Sequence, residues 1–143
     1  SVKQETQNPI HAFNYMQAAS NLERIADHAH RIAQIAREYN CTLADDLKEE
    51  LMDMEVQLCG FIDDAISYLL QTNSDKANEM IDLIREIQKS AARITVTSDS
   101  LGKSEMLERL VLAASLERMF DYIMNIGELT INLSHSTKQA EKG

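Results

Sequence analysis

The feature that most constrains this chain is a spacing of three and four between apolar residues, which continues through most of its length. One Pro and four Gly in 143 residues leave few positions that interrupt it. Apolar residues at this spacing lie on one face of an α-helix. The pattern predicts four helices, from Pro9 to about Tyr39, from Thr42 or Asp45 to Leu69, from Asn73 or Ser74 to Ile94, and from Ser104 to Leu133.

The breaks between these helices are short and polar. Asn8 followed by Pro9 is typical of a helix start, and Asn73 or Ser74 is a suitable N-cap for the third helix. Short loops between long helices make sequential helices antiparallel neighbours. We therefore predict an all-α fold, an antiparallel bundle of four long helices without strands, followed by a polar tail that frays.

Charge and composition exclude several classes of function. A net charge of −9 argues against a nucleic-acid surface and an anionic membrane face. No apolar run approaches the ~18 residues that a membrane span needs, so direct membrane insertion is not expected. Two cysteines, Cys41 and Cys59, are too few for a disulfide framework, which favours a cytoplasmic location. Cys59 borders the apolar stripe and is predicted to be buried. No catalytic motif is recognisable, so we do not expect an enzyme.

A repeated segment supplies the candidate site. LERIADHAHRIAQ at 22–34 and LERMFDYIMNIGE at 116–128 share Leu, Glu, Arg, Asp and Ile at the same places, 94 residues apart. In each copy the two acids are four residues apart and share a helix face. Two such pairs on facing helices would make an oxygen-rich site for iron, manganese, magnesium or zinc. The acids of the two pairs are Glu23, Asp27, Glu117 and Asp121. Alternatively, Arg24, Arg31 and Arg118 form ordinary ion pairs with these acids.

The run NLERIADHAHRIAQIA resembles the signature helix of the PhoU family of phosphate-uptake regulators, and LERMFDYIMNIGELT is a looser copy. AISYLLQTNSDKANEMIDLIREI also resembles the family's first helix, turn and second helix, so the resemblance covers most of residues 10–135. It implies that 1–40 is the last helix of a first PhoU-like unit, 41–137 a complete three-helix unit and 138–143 a tail. It also implies that the E-x-x-x-D pairs bind metal, which makes Glu23, Asp27, Glu117 and Asp121 the predicted metal ligands.

The same resemblance implies a regulator that restrains phosphate uptake through contact with phosphate transporter components or an associated signalling protein. The alternatives are a cytosolic PhoU-like domain of a sodium/phosphate cotransporter and a carboxylate-based metal-binding bundle. The family's second helix usually adds an acidic pair, but Ile84 and Gln88 stand there, while Asp82 and Glu86 lie on another face. The two helices that precede the first signature in a typical member have no counterpart here, so the chain is either a fragment of a longer protein or a reduced form of the fold. The apolar face of the first helix is then covered by closing a four-helix bundle or by a second copy of the chain, and we predict a homodimer.

Overall fold

The computed structural model describes residues 2–38, 45–91 and 102–142, and within these ranges it contains helices and no strand. The all-α prediction is confirmed. The predicted ends at Tyr39 and Ile94, the alternative start at Thr42 and the turn residue Cys41 lie outside the described residues. The helices are α1 (Val2–Glu38), α2 (Asp45–Gln71), α3 (Ser74–Ala91) and α4 (Lys103–Lys142).

Two helix ends differ from the prediction. α1 begins at Val2 and contains Pro9, so the predicted start at Asn8 and Pro9 is wrong. Lys, Gln and Glu before the proline are good helix formers and favour a helix on its N-terminal side, although Pro9 cannot donate one backbone hydrogen bond. α4 continues to Lys142 rather than ending at Leu133, because its polar last residues also favour helix.

The turn between α2 and α3 is well defined. The backbone N–H of Asn73 donates to the carbonyl of Tyr68 at 2.9 Å, and that of Thr72 donates to Leu69 at 3.2 Å. This pair of bonds is a Schellman motif, with Thr72 in the left-handed region at φ 54°. The side chain of Asn73 accepts from the backbone N–H of Lys76 at 3.2 Å, which confirms it as the N-cap of α3.

α4 is the central helix of the bundle and packs against each of the other three. α1 runs antiparallel to it, because Asn21 bonds to Asn125 while Ile10, earlier in α1, lines a small cavity with Ser136, later in α4. α3 is also antiparallel to α4, because Gln88 bonds to Asp121 while Ile81 lies beside Gly127. α2 runs parallel to α4: the rings of Phe61 and Phe120 are in edge contact at 6.5 Å, and Leu51 and Leu112, earlier in each helix, line one cleft. The predicted bundle is therefore correct, with α1 attached mainly to α4.

The core lies where α2, α3 and α4 meet. Its largest fully buried apolar side chains are Phe120, Ile84, Ile123, Ile126 and Leu133. α3 packs closely against α4 at Gly127, where a Cβ atom would lie 3.1 Å from side-chain atoms of Met80 and Ile81. Ala18 and Ile25 join the core from α1.

Cys59 is exposed, so the prediction that it is buried is wrong. It lies at the edge of the α2 stripe rather than at its centre, which is occupied by Leu58 and Ala65. Burial of that edge would require a helix beside α2, and the main contact of α1 is with α4.

Candidate functional site

The two repeat copies lie on α1 and α4, which we call the motif helices, and they meet at equivalent residues. His28 and Tyr122 are 94 residues apart in the sequence, the repeat offset, and their rings pack with centroids 5.8 Å apart. Contact between equivalent residues on antiparallel helices places a local pseudo-twofold axis close to this pair. The repeat thus forms the contact between α1 and α4.

The predicted metal ligands point in different directions. Glu23 and Asp27 are exposed on α1, opposite the side that carries the buried Ala18 and Ile25. Glu117 is exposed on α4, and Asp121 is half-buried beside α3. On a helix, residues that lie on the opposite side from its packed face cannot reach a neighbour across that face.

Asp121 has a specific partner in Gln88. The side-chain amide of Gln88 donates to a carboxylate oxygen of Asp121 at 2.9 Å and lies 3.4 Å from the backbone carbonyl of Glu117. Gln88 therefore stands where the resemblance would place an acidic ligand. Asp82 and Glu86 contact Arg85 and Lys89 along the exposed side of α3, as expected for another face.

No three His, Cys, Asp or Glu side chains in the described part of the chain are grouped so that they could hold one metal ion. All four predicted ligands are among the residues searched, so this chain does not bring them to one point. Each E-x-x-x-D pair could act only as part of a site whose remaining ligands lie elsewhere.

Two arginines at equivalent positions of the repeat converge on Tyr122. The guanidinium carbon of Arg24 lies 5.9 Å from the centroid of the phenol ring, and that of Arg118 lies 5.4 Å from it. Arg118 also donates a hydrogen bond to the Tyr122 hydroxyl at 3.2 Å. Sequence reasoning considered these arginines only as ion-pair partners. The repeat offset of 94 residues was recognised, and the signal left unused was that this offset makes Tyr122 the equivalent of His28.

Polar groups of both motif helices surround this aromatic contact. Asn125 donates to the side-chain oxygen of Asn21 at 3.2 Å, one turn from Tyr122. The Nδ1 atom of His28 is buried and has no hydrogen-bond partner among the described residues. A buried nitrogen without a partner costs about 1–3 kcal/mol, so His28 packs at the expense of stability.

An apolar cleft of about 360 Å³ lies between α1 and α2, and residues of α4 form its floor. Small and branched side chains line it, with Glu55 as the charged residue of the set. The residues that line it from α1 are Ala29, Ile32, Ala33 and Ala36. Because α1 contributes alanines there, the gap to α2 stays open.

Comparison with known proteins finds a family match on one of the two motif helices. The PhoU domain profile matches residues 2–36, a stretch within α1. The resemblance to the PhoU family is confirmed. A curated protein of Clostridium acetobutylicum, the phosphate-specific transport system accessory protein PhoU homolog, is 26% identical over 127 residues, which cover 85% of this chain.

The chain spans 58% of the length of this PhoU homolog, and no solved structure matches it. Across the described helices, none is long and apolar enough to span a bilayer. The residues that match the PhoU domain include Glu23 and Asp27, which lie on the outer face of α1.

Proposed function

We propose that this chain is a PhoU-like regulatory module of phosphate uptake, which acts in the cytoplasm by protein contact rather than by catalysis. The observation that carries the proposal is the family match on α1, together with its echo on α4 and the packing of the two copies against each other. The name of the clostridial relative, a transport system accessory protein, supports phosphate transport as the process. Transporter components or an associated signalling protein are the expected partners.

The test is complementation of a bacterial strain that lacks its own PhoU protein. We expect expression of this chain to lower the uptake of radiolabelled phosphate in phosphate-rich medium. An Ile25→Asp variant should lose the effect, because Ile25 is buried between α1 and α4, whereas Leu83→Asp, on an exposed part of α3, should keep it. Unchanged uptake with folded protein present at normal levels would refute the proposal.

A cytosolic domain of a sodium/phosphate cotransporter is the alternative that the same family match allows. The two proposals differ in the parent gene, because a cotransporter encodes apolar spans of ~20 residues in the same reading frame. Sequencing the reading frame around this segment distinguishes them.

Metal binding through Glu23, Asp27, Glu117 and Asp121 is a further part of the proposal. Two carboxylates four residues apart can hold iron, manganese or zinc only when other ligands complete the shell. Elemental analysis of tag-free protein, beside Glu23→Ala/Asp27→Ala and Glu117→Ala/Asp121→Ala variants, tests each pair separately. Near-stoichiometric metal that is lost in one variant identifies that pair, whereas metal-free parent protein counts against both.

A further inference from the structure

The apolar cleft between α1 and α2 is a groove that runs along the helices. Its lining comes from 29–36 of α1, 51–58 of α2 and 112–119 of α4, about two helical turns of each. α1 and α2 are antiparallel to each other, because α1 runs antiparallel to α4 and α2 runs parallel to it. Two such helices above a third form a groove of the kind that a further helix fills in a bundle.

The apolar lining of the cleft is accessible to another molecule. Met52, which belongs to the lining, is 64% exposed, and Val56, one turn further along α2, is 73% exposed. The alanines that line the opposite side of the cleft, Ala29, Ala33 and Ala36 of α1, are also exposed. Apolar side chains that are exposed together around an open cleft usually mark a binding surface.

The helix on one side of the cleft carries most of the negative charge of the chain. Eight acidic residues and one lysine give α2 a net charge of −7, against −9 for the whole chain. Glu55 lines the cleft, and Glu49, Glu50 and Asp53 are exposed on the neighbouring turns. In the described part of the chain the salt bridges lie on α3, so no described residue neutralises these four carboxylates. Charge complementarity therefore favours a cationic occupant.

We propose that the cleft binds an amphipathic helix of a partner protein, with apolar residues on one face and lysines or arginines beside them. The apolar face fills the cleft, and the cationic side chains lie next to Glu55 and the other exposed acids of α2. An extended peptide fits less well, because the lining side chains other than Glu55 offer no partner for its backbone N–H and C=O groups, whereas a helix bonds its own. The inference rests on the proposed function, since it names the surface and the chemistry by which a partner is bound.

The experiment is an NMR titration of the full chain, labelled with ¹³C at the methionine methyl groups, with a synthetic helical peptide. The peptide has about 15 residues, with leucine at every third or fourth position and lysine at the positions beside them. Met52 and Met119 line the cleft, so their methyl signals should shift saturably. The signal of Met16, which is 70% exposed on α1 and outside the lining, should not shift.

Two control peptides of the same length separate the apolar contribution from the charge. In one, the same residues are rearranged so that the leucines do not share a helix face. In the other, glutamate replaces every lysine. Each control peptide should bind about tenfold more weakly than the lysine peptide, or not at all.

Variants of the protein test the lining and the charge of the cleft. Ala33→Phe fills the cleft and should weaken binding about tenfold, whereas Gln34→Phe, at an exposed position outside the lining, should change it less than about twofold. Glu55→Gln removes a carboxylate from the cleft and should weaken binding about threefold. Glu128→Gln, at an exposed position on α4, makes the same change in net charge and should leave binding unchanged. Circular dichroism guards against misfolding, and the methyl shifts of the unmodified protein decide the question if a variant unfolds.

Three outcomes would overturn the proposal. The first is the absence of saturable shifts of Met52 and Met119 with the lysine peptide. The second is equal binding of the glutamate peptide, which would mean that the charge of α2 does not select the occupant. The third is a change of the same two signals on dilution of the protein alone, which would mean that a second copy of the chain occupies the cleft. Phosphate uptake enters none of these measurements, so a negative result here leaves the outcome of the complementation test unaffected.

Discussion

Asp121 is the half-buried carboxylate among the four motif acids, and its chemistry depends on Gln88. The amide of Gln88 supplies a donor at 2.9 Å, so Asp121 is paired without a cation or a metal. A carboxylate at position 88 would instead give a group of three acids with Glu117 and Asp121. With an amide at position 88 the chain has a packed polar contact, whereas an acid at the same position would give a potential metal site.

Gln88→Glu should lower the free energy of unfolding by about 1–3 kcal/mol in metal-free buffer. The substitution removes a donor and faces Asp121 with a like charge. Added Mn²⁺ should restore stability, since a ligand that binds only the folded state stabilises it. Urea denaturation with and without Mn²⁺ measures both effects. Gln57→Glu, at an exposed position of α2, is the control, and an equal loss there would rule out a specific contact.

His28→Phe should raise the free energy of unfolding by about 1 kcal/mol. Phenylalanine keeps a ring against Tyr122 and removes the Nδ1 atom that is buried without a partner. His30→Phe, at an exposed site two residues away, should change stability by no more than ~0.5 kcal/mol. Thermal and urea unfolding of the three proteins provide the comparison. A destabilised His28→Phe variant would mean that the imidazole has a polar partner after all.

At the scale of the element, the spacing of apolar residues correctly predicted the helices, because each helix depends on its own apolar face. It failed for features that depend on which helices lie next to each other. The four helices and the cap at Asn73 follow from local patterns. The extension of α1 on the N-terminal side of Pro9 did not follow, because Asn8 followed by Pro9 is typical of a helix start and nothing in the local pattern marks an earlier one. The exposure of Cys59 and the pairing of Asp121 with Gln88 depend on which helices are adjacent, and spacing along one helix does not contain that information.

Thr72→Gly should raise the free energy of unfolding by about 0.5–1 kcal/mol. Thr72 is a β-branched residue at φ 54°, where its Cβ is strained and glycine is not. Thr72→Ala keeps a Cβ in the same conformation and should give a smaller gain or none. Chemical denaturation at one temperature compares the three proteins. Equal stability of the glycine and alanine variants would show that this turn is not strained.

At the scale of the whole molecule, the pseudo-twofold relation between α1 and α4 is incomplete. Phe120 and Ile123 of α4 are fully buried, while the residues 94 positions earlier on α1, Ala26 and Ala29, are exposed. α1 also exposes Phe13 by 59% and Met16 by 70%. Apolar surface of this kind on one helix face usually marks a contact with another protein segment.

We therefore propose that two copies of the chain associate through the outer face of α1, which removes Phe13 and Met16 from water. Phe13→Glu/Met16→Glu should convert a concentration-dependent dimer to monomer, because burying two carboxylates in an apolar interface is strongly unfavourable. Leu83→Glu, at a site on α3 that is 58% exposed, should leave association unchanged. Sedimentation equilibrium over micromolar concentrations provides the measurement. A parent protein that remains monomeric at every concentration would refute the dimer, and equal dissociation of the α3 variant would place the interface elsewhere.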